Sequence, residues 1–134
     1  MTVHPSAKNL VKETWKRRKS KPGFSAAVKA VIGARSGGLC ELFVGCGAAV
    51  QYHHRAPRGA GGTSLPWVNQ AANGLHVCRR HHDFIEAQRA LAYDKGWLVA
   101  RNGSRTAAEV PVLYRGRWVL LTDDGRIEPI GGDA

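Results

Sequence analysis

Seven side chains able to bind metal or move protons fall in two short stretches of this sequence. Cys40, Cys46, His53 and His54 lie in the first; Cys78, His81 and His82 lie in the second. A structural zinc takes four nitrogen or sulfur ligands in a tetrahedron. Cys40, Cys46, Cys78 and His81 supply that set. Cys78-x2-His81 has the spacing of a knuckle, a tight turn that aims both side chains at one ion. Cys40-x5-Cys46 is wider and runs into a turn flanked by Gly45 and Gly47. The cysteine count, 3, is odd, which argues against a closed disulfide framework. A zinc held this way contributes on the order of 10 kcal/mol to folding, which suits a chain too short for a large core. The competing reading, three buried free thiols and incidental histidines, is weaker, because every cysteine is paired or lies close to a histidine.

Three imidazoles then remain. Neighbours on a strand point to opposite faces, so His53 and His54 do not readily serve one ion. His82 follows His81 at the start of a helix and is rotated from it by about 100°. A second metal held by His53 and His82, with His54 left as a base, accounts for all three. Phosphodiester hydrolysis uses these parts: a neutral imidazole activates water near pH 7, and a divalent cation stabilises the charge that builds on the phosphoryl group.

The stretch His53-His54-Arg55, followed by Asn73-Gly-Leu-His-Val-Cys78-Arg-Arg-His81-His82, resembles the HNH (ββα-metal) endonuclease motif. The points of likeness are the paired residues ending in His, the Asn five residues before a Cys, and the His directly after the second knuckle ligand. Residues 35–102 are similar to small HNH proteins of tailed bacteriophages, including the lead-in Arg35-Ser-Gly-Gly-x-Cys-Glu41. The later Val110-Pro-Val-Leu and Trp118-Val-Leu-Leu segments are like their tails.

The resemblance implies an α+β fold: a small zinc-stabilised ββα-metal domain with an N-terminal helix and a C-terminal β-hairpin. It implies His54 as general base and His53 and His82 as ligands of Mg²⁺ or Mn²⁺, with other divalent transition metals also suited to two imidazoles. Asn73 would hold the loop through backbone hydrogen bonds, and the products would carry 5′-phosphate and 3′-hydroxyl ends. Two features depart from the family pattern: His81 stands where a second Cys is commoner, and the first knuckle is Cys-x5-Cys where Cys-x2-Cys is commoner. Asn69 lies at the wrong distance from Cys78 to replace Asn73.

The elements that must position these groups are short. Ser25 caps a predicted helix carrying Val28, Val31 and Ile32 on one face, and Gly37-Gly38 stops it. Residues 39–44 and 48–52 read as a hairpin turning at Gly45-Cys46-Gly47. Residues 57–66 form a Pro/Gly/Ser loop, and Leu75 to Val77 is extended. Residues 79–95 have helical character with a stripe of Phe84, Ile85, Ala87, Leu91 and Ala92, ended by Gly96. Val110 to Tyr114 and Trp118 to Leu121 read as two strands around Arg115-Gly-Arg117, with a further turn at Asp123-Asp124-Gly125. Trp67, Trp97 and Trp118 are expected as core anchors and His76 as a packed or surface residue, with no role for His4. The expected organisation is a basic arm over 1–23, a nuclease domain over 24–100 and a C-terminal hairpin over 101–134 packed on it.

The 134 residues carry a net charge of +10, which suits a polyanionic partner. Much of that charge lies at the front, in Lys16-Arg17-Arg18-Lys19-Ser20-Lys21, a solvated tail or an arm that tracks phosphates. Arg55 and Arg58 read equally as phosphate contacts or as solvent-facing charges. No apolar signal segment or membrane span is visible, so a cytosolic chain with reduced thiols is expected. DNA is the expected partner, contacted through its backbone and hence cut with low sequence specificity. Family likeness adds phage terminase or portal as candidate partners, with a role accessory to DNA packaging, and a monomer or small oligomer as the state. The competing function is a non-catalytic zinc-stabilised DNA-binding or terminase-adaptor module. Such a module needs the zinc ligands but not His53, His54 and His82.

Overall fold

A computed structural model describes residues 23–57 and 65–130. The basic run over 16–21, His4 and Arg58 lie outside the described residues.

The first helix, α1 (Ala26–Ser36), begins where Ser25 accepts a hydrogen bond from the Val28 N–H at 3.1 Å. It ends at Gly37, whose left-handed φ of 68° favours glycine. Its inner face, Val28, Val31 and Ile32, packs with Phe24, Ala71 and Tyr52.

The hairpin expected between residues 39 and 52 is not formed. Only Leu39 and Ala48 bridge. Two glycines with positive φ, Gly45 and Gly47, instead curl residues 40–47 into a loop closed by Cys40 N–H to Gly47 O at 3.0 Å. Strand β1 (Gln51–His54) pairs antiparallel with β2 (Gly74–Val77), setting Tyr52 opposite His76 and His53 opposite Leu75. Gly74 lets α1 lie close on this ribbon: a Cβ there would meet Ile32 Cδ1 at 2.5 Å.

The helical stretch after Cys78 is broken in two. Helix α2 (Arg79–Ala87) is followed by α3 (Arg89–Asp94), and Gln88 between them leaves helical geometry at φ −121° and ψ 60°. The chain then turns at Gly96, where positive φ and a carbonyl 2.0 Å from any added Cβ exclude other residues. The expected C-terminal hairpin is a three-stranded antiparallel sheet. Its order is β3 (Val112–Tyr114), β4 (Arg117–Leu121), β5 (Ile127–Pro129). The third strand arises because the Asp123-Asp124-Gly125 turn reverses the chain onto β4. The fold is therefore small α+β with two small sheets. No helix among the described residues is long and apolar enough to cross a membrane.

One core runs through both sheets, joining Leu42, Leu75, Val77, Ile85, Trp97 and Leu98 to Val112, Val119 and Leu121. Trp97 is the anchor the sequence suggested. Trp67 is partly exposed, and Trp118 is 44% exposed, because β4 turns it to the outer face of the C-terminal sheet.

Two buried cations knit the core. Arg35 and Glu41 form an ion pair at 2.7 Å with side chains 1% and 0% exposed. Glu41 also accepts from the His76 N–H at 2.8 Å and the Tyr114 hydroxyl at 2.6 Å. Every lone pair and proton of such a pair needs a partner for burial to be tolerated. This network thus ties α1, the Cys40 segment, β2 and β3 together. Arg55 is the second cation. Considered above as a phosphate contact, it is instead fully buried and donates to the carbonyls of Gly96, Ala72, Ala107 and Val110 at 2.8–3.1 Å. Burial, with some repulsion from Arg35, pulls its pKa down to about 9, still above neutrality, so it stays charged at pH 7. It acts as a strut between four chain segments and is out of reach of any phosphate.

Candidate metal centres and the histidine groove

The ligand atoms of Cys40, Cys46, Cys78 and His81 lie within 4.8 Å of one another. The curled loop brings Cys40 and Cys46 together, and the start of α2 adds Cys78 and His81. His81 Nδ1 is 3.6 Å from Cys40 Sγ and 3.3 Å from Cys78 Sγ. In a zinc tetrahedron with bonds of roughly 2.3 Å to sulfur and 2.0–2.1 Å to nitrogen, the S···N edge is about 3.5 Å. The donor set and its spacing therefore fit zinc. Electrostatics at Cys40 agree in direction. Burial pushes its thiol up, but hydrogen bonds from the backbone around Cys78 and Leu42 outweigh this, and its pKa ends below the usual value. Cys46 is pushed up to about 11, by burial first and by the other two sulfurs second. A Cys46 thiol held protonated beside two other sulfurs is what a cation would relieve. Phe43 lies over His81, with ring centroids 4.8 Å apart, and shields one side.

The second cluster is His53, His82 and Glu86, whose ligand atoms also lie within 4.8 Å of one another. The sequence reading paired the two histidines but missed Glu86. The signal that could have found it is His82-x3-Glu86, which places both on one face of a helix. His53 is 4% exposed, and its Nε2 lies 2.9 Å from the Trp97 carbonyl. A carbonyl only accepts, so Nε2 carries the hydrogen and Nδ1 the lone pair. An imidazole ligand is commonly oriented in this way from behind. Burial holds the His53 pKa down to about 4, partly opposed by the Trp97 carbonyl, so the ring is neutral at pH 7. Glu86 is exposed and also accepts from Arg89 at 3.0 Å. Two imidazoles and a carboxylate fit a divalent transition metal, Mn²⁺ included.

His54 leaves β1 on the other face. It stacks on Phe24 with centroids 3.9 Å apart and planes 7° from parallel, and its Nε2 lies 2.9 Å from Asn69 Oδ1. His54 and His82 nevertheless line the same open groove of about 400 Å³, with Phe24, Lys29, Gln51 and Tyr52. Gln51 Oε1 is buried without a hydrogen-bond partner among the described residues.

Asn73 is fully buried. Its side chain accepts from Ala56 N–H at 2.8 Å and donates to Ala56 O at 3.1 Å and Val68 O at 2.7 Å. It thus ties the exit of β1 to the short 3₁₀ turn Pro66–Asn69. His76 is packed, stacked on Tyr52 and 2.8 Å from Ser36 Oγ, and takes no part in either cluster. Arg79 and Arg80 are exposed.

No protein-family model matches this sequence, and no curated protein or solved structure matches it. The functional reading therefore rests on these residues and their arrangement.

Proposed function

We propose that this chain is a metal-dependent DNA endonuclease of the HNH type. The observation that supports it best is the histidine arrangement: His53 and His82 converge with Glu86, and His54 faces the groove His82 also lines. A zinc-stabilised binding module would need only Cys40, Cys46, Cys78 and His81. The three further histidines, His54 and His82 on one groove and His53 beside His82, favour hydrolysis.

In this reading β1, β2 and α2 form the ββα unit. His53, His82 and Glu86 would hold Mg²⁺, Mn²⁺ or another divalent cation, which when bound supplies positive charge to the phosphoryl group in the transition state. His54 takes the proton from a water as that water attacks phosphorus. The bond from phosphorus to the 3′ oxygen breaks, and that oxygen takes a proton from solvent, leaving 5′-phosphate and 3′-hydroxyl ends. Asn73 holds the loop after β1 and so keeps His54 aimed. The Cys40, Cys46, Cys78 and His81 cluster would hold structural zinc and fix the start of α2, which carries His82. Lys29 on the groove wall and the +10 net charge favour a polyanion held by its backbone, hence weak sequence preference. A role beside a phage terminase or portal is compatible with this chemistry and rests on the family likeness alone.

The test is cleavage of supercoiled plasmid with Mg²⁺ or Mn²⁺. The parent should nick or linearise it and His54→Ala should not. A His54→Ala protein that cuts as fast as the parent removes His54 as base. A well-folded parent that binds DNA without cutting favours the non-catalytic module.

A further inference from the structure

We infer that the C-terminal sheet carries a second nucleic-acid site, one for unpaired bases, in which Trp118 stacks on a base while Arg117 and Arg115 face the neighbouring phosphates. The inference goes beyond the nuclease reading, and cleavage plays no part in it.

A groove of about 600 Å³ lies at this sheet and shares no residue with the histidine groove. Strand β4 supplies Arg117 and Trp118, the turn before it supplies Arg115, and Ile127, Pro129 and Ile130 form an apolar wall. Two observations say what fills it. The first is a large indole left in solvent: Trp118 is 44% exposed, beside Ile127 at 39%. The second is charge. The groove lining carries two guanidinium groups and no carboxylate. Arg115 is fixed there by bonds to Ser36 O at 2.8 Å, Leu39 O at 2.9 Å and Cys40 O at 3.1 Å. Carbonyl partners orient the guanidinium without cancelling its charge. Arg117 is exposed and forms no ion pair among the described residues. Arg126 on the same sheet is, by contrast, neutralised by Asp124 and Glu128.

A polyanion with flat apolar faces satisfies both observations. Nucleic acid repeats that pairing of base and phosphate at every step, and a base stacks on an aromatic side chain whatever its identity. In a duplex the base faces already stack on one another, so indole and base meet only where the strand is unpaired. An acidic peptide would also bring charge, but Pro129 has no N–H and makes β5 a poor edge for an added peptide strand. The net charge of +10 also favours nucleic acid.

The experiment titrates the full zinc-loaded chain with an oligothymidylate of about 10 nucleotides, a length such sites cover. No Mg²⁺ or Mn²⁺ is added, so binding is read without cutting. Anisotropy of a fluorescein-labelled strand gives the affinity, and tryptophan emission with an unlabelled strand reports stacking. The parent should bind with quenched emission. Trp118→Ala should weaken binding about tenfold or more. Trp118→Phe, which keeps a flat ring, should retain most of the affinity yet lose most of the quench. Arg117→Ala should reduce the salt dependence of log Kd by about 0.7, the share of one phosphate contact on a single strand. A relaxed circular duplex should be bound equally by the parent and Trp118→Ala. The inference is overturned if Trp118→Ala binds the oligonucleotide as tightly as the parent, or loses affinity for duplex and single strand alike. An oligonucleotide that does not bind the parent overturns it too; if an acidic tryptophan-bearing peptide then binds through Trp118, the groove serves a protein partner. Should Trp118→Ala fold poorly, the quench in Trp118→Phe and the salt slope of Arg117→Ala decide, and parent values in both overturn the site. A parent that binds the strand through Trp118 but never cuts plasmid leaves this site standing and sinks the nuclease reading alone.

Discussion

His53 and His82 meet almost edge to face, with ring centroids 5.6 Å apart and planes at 76°. One comes from β1 and the other from α2, and Trp97 O holds the first from behind at 2.9 Å. Two imidazoles so arranged, with Glu86 in reach, should bind a divalent ion in the protein without DNA. Mn²⁺ titration followed by electron paramagnetic resonance should show one site beyond the zinc. His82→Ala should weaken it at least about tenfold, equivalent to ~1.4 kcal/mol, and Glu86→Gln should weaken it less. Unaltered Mn²⁺ binding in His82→Ala would remove this site. Zinc content should not change in either variant.

Zinc content is the measure for the cysteine cluster. The purified parent should carry about one zinc, and Cys78→Ser should lose most of it. Because a structural zinc contributes on the order of 10 kcal/mol, the variant or a chelated parent should lose its cooperative thermal transition. A zinc-free parent that still melts cooperatively would show that the core suffices alone.

Arg55→Met should be costly in stability. It removes a buried cation and takes the donor from the carbonyls of Gly96, Ala72 and Val110, while Ala107 O keeps only the Val110 N–H. The expected loss is about 3–5 kcal/mol, read from the urea midpoint at constant m-value. If stability holds and only the salt dependence of DNA binding changes, Arg55 is a phosphate contact after all.

Tyr114 gives the fold an alkaline limit. Burial, then the adjacent Glu41 carboxylate, hold its hydroxyl protonated well above the usual tyrosine value. The unfolded chain ionises this group near pH 10. Above that pH the unfolded state binds fewer protons, so stability falls as pH rises. Tyr114→Phe should cost about 1–3 kcal/mol at pH 8 through the lost bond to Glu41, and should lose less than the parent between about pH 10 and pH 11. Urea denaturation across that range would refute this if the two proteins decline in parallel.

The donors of the Cys/His cluster, which could hold a metal, and the local turns were legible in the sequence. The spacing of Cys78 and His81 and the offset of Asn73 from Cys78 are local facts. Ser25 and Gly37 bound α1 by chemistry that neighbours alone supply. The third C-terminal strand was missed although its turn was visible, because three residues at Ile127–Pro129 are too short to show a period. The curl over 40–47 was misread as a hairpin because short apolar pieces either side of a glycine-flanked turn also suit a loop gathered around clustered Cys and His side chains.

What the sequence by itself determined is which donors exist and how they pair along the chain: Cys40 with Cys46, Cys78 with His81, His53 beside His54. Only the tertiary structure decided what each meets across space. Arg55 looked free to reach a phosphate until four carbonyls from distant segments closed around it. Asn69 looked irrelevant until a turn, pinned by Asn73, carried it across fifteen residues to His54. Glu86 became a candidate ligand only when α2 docked on β1. The physical reason is common to all three. A side chain's chemistry is local, but burial and hydrogen-bond partners are set by contacts between segments far apart in sequence, and no spacing rule encodes those.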